Sequence, residues 1–148
     1  MHLVGAVVVQ VIDADGDLAN AVIGGILSFY AATIGTVGVV LDGAIRDVAE
    51  IRERDYPVYA RGVNHRGPYK DGPGEINVPI SVGGMVVNPG DIVVGDQDGL
   101  LAIAPADAER LIQGARAVLA AEAQTMDAMR DGRWDRSFID ALEARCNN

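Results

Sequence analysis

Residues 36–55 read TVGVVLDGAIRDVAEIRERD. TVGVVLDG, residues 36–43, is a β-branched, nearly uninterrupted apolar run ending in Asp42-Gly43. Such a run reads as a strand buried on both faces, inside a sheet covered by helices. AIRDVAEIRERD, residues 44–55, switches to helical spacing and carries Arg46, Asp47 and Glu50 in its first turns. A buried strand, a glycine turn and a charged helix start form a unit typical of α/β sheets, which bind ligands at the carboxyl ends of their strands.

Toward the amino terminus, VGAVVVQVI (residues 4–12) is a second buried strand and DADGD (13–17) a turn. LANAVIGGILSFYAATIG, residues 18–35, has helical apolar spacing with Asp17 as its cap. Gly24-Gly25 interrupts it, and adjacent glycines inside a helix cost about 2 kcal/mol relative to alanine. Either the helix starts anew there or something approaches the backbone closely. Toward the carboxyl terminus, PVYARGV (57–63) is a third strand. The loop NHRGPYKDGPGE (64–75) follows, as a lid, a subunit contact or a solvated segment. INVPISV, MVVN, DIVVGD and GLLAIAP are short strands separated by turn dipeptides, which predicts a β-meander or a small barrel-like half. Asp96 and Asp98 read as turn residues. Residues 105–130 form an amphipathic helix, and 135–145 a last short one after Trp134. The expectation is one α/β domain over residues 1–148: a mixed-sheet core, flanking helices, and C-terminal helices after a β-meander.

The formal net charge of −9 is spread so that no segment is basic, and residues 1–45 hold no Lys or Arg. That removes the electrostatic footprint of a nucleic-acid binder and disfavours anionic membrane surfaces. The start, MHLVGAVVVQVI, lacks the basic region and cleavage site of a signal peptide and is too short to span a bilayer, so a cytoplasmic protein is expected. The single cysteine, Cys146, excludes an internal disulfide and a zinc–cysteine site.

The chemistry concentrates at Arg46, Asp47 and Glu50. On a helix, residues three and four apart share a face. Asp47 offers hard carboxylate oxygen, which suits Mg2+ or Mn2+ bound with several waters. Arg46 offers a planar fork for a substrate carboxylate. The bland alternative is a pair of surface ion pairs, Arg46 with Glu50 and Glu50 with Arg54. A helix restarting at Gly24 or Gly25 would turn free amides outward to hold an anion, whereas glycine there also permits mere close packing. No dinucleotide fingerprint or P-loop is present, and His65 alone offers no nucleophile–base arrangement.

These residues resemble one family. GDLANAVIGGILSFYAATIGTVGVVLDGAIRDVAEI, PVYARGV and RGPYKDGPGEINVPISVGGMVVNPGDIVVGDQDGLLAIAP are similar to the regulator of RNase E activity A and the 4-hydroxy-4-methyl-2-oxoglutarate/4-carboxy-4-hydroxy-2-oxoadipate aldolases. The likeness covers about residues 10–130, with DGAIRD and GG-x-V-x-PGD its most specific pieces. It implies a swivelling-domain type α/β fold and homotrimers or hexamers with sites at subunit interfaces. It implies Arg46 as the substrate-binding and catalytic arginine and Asp47 as the catalytic metal ligand. The amides of Gly24, Gly25, Ile26 and Leu27 are implied to hold the substrate carboxylate. Asp42 and Glu50 are second-tier candidates apart from the resemblance, Glu50 as an anchor for a metal-bound water. The chain departs from the pattern in two respects. The aldolases carry an Asp 21 positions before the Arg, where this sequence has Gly25. Relatives also have a segment before the part that matches, so the chain reads as shortened at its amino end.

The leading expectation is a Mg2+- or Mn2+-dependent lyase that cleaves or decarboxylates a small 2-oxo acid, the pyruvate enolate being stabilised as the carbon–carbon bond breaks. Oxaloacetate decarboxylation needs only that stabilisation and should survive the Gly25 change better than aldol cleavage. The alternative is a non-catalytic regulator that binds a ribonuclease through its acidic surface.

Overall fold

A computed structural model describes residues 7–146, and the chain divides into two compact units, one ending at Pro105 and one starting at Ala106. The first unit is built on a four-stranded sheet. Its strands are β1 (Val8–Asp13), β2 (Ala21–Ile23), β3 (Thr36–Ile45) and β4 (Val58–Val63). β3 is the centre, buried from Gly38 to Ile45 as its apolar run requires. It pairs in parallel with β4 along one edge and, along the other, with β1 and then β2 placed end to end. The expected mixed sheet is therefore corrected: this sheet is parallel throughout, because β2 to β3 and β3 to β4 each connect through a helical crossover and not a hairpin, while β1 and β2 run in the same direction along one edge. The part of the predicted first strand at residues 4–6 lies outside the described residues.

Helix α1 (Gly25–Thr33) and the short helix α2 (Val48–Arg52) cover one face of β3. Ile23, Ala31, Val39, Leu41, Ile45 and Ile51 form the core between them. Thr36 ties this layer together, its hydroxyl donating to the Ala31 carbonyl at 2.8 Å and lying 2.7 Å from the Tyr56 hydroxyl. Two helical expectations need correcting. Residues 18–23 are not helix: residues 21–23 form β2, because Ala21 and Ile23 find ladder partners in Ala44 and Ile45. The helix expected over 44–55 shrinks to α2, because β3 continues through Ile45 and consumes the first residues. Asp17 caps no helix; its carboxylate accepts from the Ala19 amide at 2.7 Å in a local turn.

The segment after the 64–79 loop forms antiparallel hairpins. β5 (Ile80–Val82) pairs with β6 (Met85–Val87), and β7 (Ile92–Gly95) with β8 (Leu100–Ile103). Gly83 and Gly84 both have positive φ, as the two-residue turn between β5 and β6 demands. Asp96 accepts from the amides of Asp98 and Gly99 at the second turn, in keeping with its reading as a turn residue. The hairpins make two separate two-stranded sheets, so neither the continuous meander nor the closed half-barrel expected from the sequence forms.

A 3-10 turn at Pro105–Asp107 leads into α3 (Ala108–Arg130) of the second unit, and α4 (Ser137–Cys146) follows. Trp134 packs edge-on against Phe138, ring centres 5.8 Å apart. No described helix is long and apolar enough to cross a membrane.

Candidate active site at the ends of the parallel strands

Parallel pairing of β2 with β3 sets two strand-to-helix corners side by side. One is Gly24-Gly25, between β2 and α1; the other is Arg46-Asp47, between β3 and α2. The Arg46 amide donates to the Ile23 carbonyl at 2.9 Å and locks the corners together. The end of β4 joins them, since the Asn64 amide donates to the Ile45 carbonyl at 3.0 Å and the Ala21 amide to the Arg66 carbonyl at 2.9 Å. This is the carboxyl end of the sheet, where α/β folds bind ligands.

Asp47 sits before α2 in the left-handed conformation, φ 58° and ψ 35°, which aspartate tolerates better than most residues. Its side chain makes no bond to its own helix. It reaches across to α1, where Oδ2 accepts from the Gly25 amide at 2.9 Å. The Arg46 Nε lies 3.7 Å from the same oxygen, with both side chains a little under half exposed. Gly24 makes this possible: a Cβ at position 24 would lie 2.5 Å from Asp47 Oδ2 and 2.8 Å from Arg46 Cγ. Gly67, in the loop after β4, also lines Arg46; a Cβ there would be 3.3 Å from Nη1.

Glu50 enters from α2. A Cβ at position 25 would collide with Glu50 Oε2 and lie 2.8 Å from its Cδ. A side chain at 25 would therefore require the Glu50 carboxylate, the far end of an exposed and flexible side chain, to shift from this place. Arg54 pairs with Glu50 Oε1 and also donates to the Gly25 carbonyl at 2.9 Å and the Ser28 hydroxyl at 3.3 Å. Sequence reasoning missed this clamp. The Glu50–Arg54 spacing signalled a surface pair, but nothing in it pointed to the Gly25 carbonyl. The alternative pairing of Arg46 with Glu50 is replaced by Arg46 with Asp47, because Arg46 precedes the helix.

The predicted residues thus fall in two places. Gly24, Gly25, Arg46, Asp47 and Glu50 converge, with Ile26 and Leu27 beside them in the first turn of α1. The Gly25 amide is already taken by Asp47, which leaves those of Ile26 and Leu27 as the remaining first-turn amides with no acceptor within their own helix. Asp42 is elsewhere: it is buried, ion-paired to Arg61, and accepts from the Gly83 amide at 2.7 Å, so it fastens the β5–β6 hairpin to the sheet.

A divalent ion can be tested against these groups. Among the described residues no cluster of three His, Cys, Asp or Glu stands close enough to cage a metal. Asp47 engages its neighbours through Oδ2, so Oδ1 is the oxygen it can offer. One carboxylate with Glu50 close by fits a hard ion that keeps most of its water, as Mg2+ does, and does not fit zinc.

A family model, described as RraA-like, Aldolase/RraA, matches residues 2–102. The chain belongs to that family. It is 43% identical over 108 residues to a protein of Halalkalibacterium halodurans named "Putative 4-hydroxy-4-methyl-2-oxoglutarate aldolase", covering 73% of this chain and 51% of that one. Among solved structures, it resembles the RNA-processing inhibitor RraA from Thermus thermophilis at 39% identity and a TM-score of 0.61, over 64% of this chain and 58% of that one. It also resembles Streptomyces coelicolor RraAS2, an unusual member of the RNase ES inhibitor RraA family, at 29% identity and a TM-score of 0.70, over 82% and 62%. The chain spans about half the length of the curated relative it matches.

Proposed function

We propose that the chain carries the core of a divalent-metal-dependent carbon–carbon lyase for small 2-oxo acids, within a swivelling-type fold that works as a homotrimer or hexamer. The observation that supports this reading most is the single corner at which a fork-bearing cation, a hard carboxylate and a helix amino terminus meet: Arg46, Asp47 and the first turn of α1. The aldolase name of the Halalkalibacterium relative points the same way.

Arg46 presents its guanidinium to the substrate carboxylate, and the Ile26 and Leu27 amides supply further donors to the same anion. This fixes the bond beta to the ketone relative to Asp47. As that bond breaks, its electron pair moves toward the 2-oxo oxygen, and the positive charge of Arg46 and of the α1 terminus stabilises it. Asp47 would hold Mg2+ or Mn2+, which when bound would supply Lewis-acid polarisation of the 2-oxo acid. Oxaloacetate and 4-carboxy-4-hydroxy-2-oxoadipate are the proposed test substrates. Pyruvate release from either, dependent on Mg2+ or Mn2+ and abolished by EDTA, is the expected result; its absence with metal supplied sinks the assignment.

A second reading follows from the inhibitors of RNA processing among the similar structures. There the acidic surface would bind a ribonuclease without catalysis. Pull-down of RNase E at low and moderate salt tests it, and a salt-sensitive complex without lyase turnover would favour this reading.

A further inference from the structure

Strands β2, β3 and β4 end together at this corner, and Asn64, the first residue after β4, ties them to the loop that follows. Its amide donates to the carbonyl of Ile45, the last residue of β3, at 3.0 Å. Its side-chain Nδ2 donates at 2.8 Å to the Leu18 carbonyl, in the segment that leads into β2, 46 positions back. Its Oδ1 accepts from the Arg66 amide at 3.0 Å. A bond from an asparagine side chain to the backbone two residues on turns the chain. The Arg66 carbonyl then accepts from the amide of Ala21, the first residue of β2, at 2.9 Å. The Asn64 side chain thus works as donor and acceptor at once, which aspartate, serine or alanine could not match with the same two partners.

This turn delivers Gly67 to Arg46. A Cβ at position 67 would lie 3.3 Å from Nη1, closer than side chains ordinarily pack. On the other side, Arg46 Nε lies 3.7 Å from Asp47 Oδ2. The guanidinium therefore stands between Asp47 and the backbone of the loop, and Asn64 sets where that backbone runs. The hydrogen bonds of Asn64 go to Leu18, Ile45 and Arg66, and none of them goes to Asp47 or to α1.

We infer that Asn64 is a positioning residue for Arg46: it folds residues 65–67 into a wall that holds the guanidinium where the substrate carboxylate binds. The inference rests on the proposed lyase reading. A long arginine side chain, a little under half exposed, loses rotamer freedom when it engages a substrate, and a wall that already confines it lowers that cost. The effect belongs to substrate binding. It leaves alone the Asp47 carboxylate, which the Gly25 amide holds from across the corner.

The test is steady-state pyruvate release from oxaloacetate with saturating Mg2+, in the wild type, Asn64→Ala, Asn64→Ser, Arg46→Lys and the double variant Asn64→Ala/Arg46→Lys. Mn2+ affinity is measured alongside, with free Mn2+ counted by electron paramagnetic resonance. Asn64→Ala should raise KM about tenfold, the factor for two ordinary side-chain hydrogen bonds. Its kcat should stay within about threefold of the wild type, as expected when uniform binding is lost. Its Mn2+ affinity should match the wild type, which a general loosening of the corner would not allow. In the Arg46→Lys background the same change should add less than about twofold, because the wall then has no guanidinium to hold. Asn64→Ser keeps a hydroxyl that can accept from the Arg66 amide, more weakly, so its KM should fall between those of the wild type and Asn64→Ala. It also stands in if Asn64→Ala does not fold, with a raised KM still required. An unchanged KM, effects that multiply in the double variant, or a parallel loss of Mn2+ affinity overturns the inference and leaves the lyase reading standing. No metal-dependent turnover by the wild type overturns both.

Discussion

The Gly25 amide donates to Asp47 Oδ2 at 2.9 Å, although the two residues stand 22 positions apart. That bond joins the β2–α1 corner to the β3–α2 corner, so the acid of the site and the helix terminus of the site are held as one piece. Gly24 is the clearance that lets it form. Gly24→Ala would drive a Cβ to 2.5 Å from Asp47 Oδ2 and must displace either the carboxylate or the backbone. The expected outcome is a loss of about 1–3 kcal/mol in urea unfolding. A drop in kcat/KM of at least about tenfold should accompany it, since about 1.4 kcal/mol of lost transition-state stabilisation gives that factor.

Arg46 and lysine are not equivalent in this corner. The Arg46 Nε is directed at Asp47 while Nη1 lies along the loop at Gly67, so the planar group spans two neighbours that an ammonium cannot. Arg46→Lys is expected to raise the KM for a 2-oxo acid by about 10-fold or more, from the 1.5–3 kcal/mol typical of a hydrogen bond to a charged group. Steady-state kinetics on oxaloacetate check this. An unchanged KM would place the substrate carboxylate elsewhere.

The core beneath the site depends on β3. Leu41 is 2% exposed and lies in the cluster with Ile23, Val39 and Ile51. Leu41→Ala should cost about 2–5 kcal/mol, read as a lower urea midpoint with little change in slope.

The second unit carries a small pH effect. The Ser137 amide donates to Asp135 Oδ1 at 2.9 Å. That bond, and then one from the Ser137 side chain, hold the Asp135 carboxyl below the usual aspartate range. A depressed folded-state value means its contribution to the start of α4 is present above the unfolded value and is lost as pH falls through the folded one. Carbon chemical shifts across α4 should therefore report fraying of its first turn on acidification, and Asp135→Asn should remove that titration step.

The sequence makes β3 plain, because the β-branched, nearly uninterrupted apolar run that opens it has few other places to go. The Arg46-Asp47 corner is legible for the same reason: it ends that run. Residues 18–23 mislead, since their apolar spacing is helical and only the ladder partners Ala44 and Ile45 make a strand of residues 21–23. The extent of α2 misleads too, because the residues assigned to its start serve as the last rungs of β3. Asp42 has the composition of a site acid but is spent on Arg61 and the Gly83 amide. Gly25 reads as a missing acid, and Glu50 as a surface charge. Their relation is visible only when α1 and α2 are brought together, because it lies in an absent Cβ and not in a sequence spacing.

The central claim is that Asp47 makes this corner a metal-dependent lyase site. The most direct measurement is pyruvate release from oxaloacetate with saturating Mg2+, comparing the wild type with Asp47→Ala at matched oligomeric state and melting temperature. The predicted result is turnover by the wild type that EDTA abolishes, and a loss of at least about 100-fold in Asp47→Ala, of the order set by removing one electrostatic group from an active site. Equal, metal-dependent turnover by the two proteins would contradict the account and place the chemistry away from Asp47.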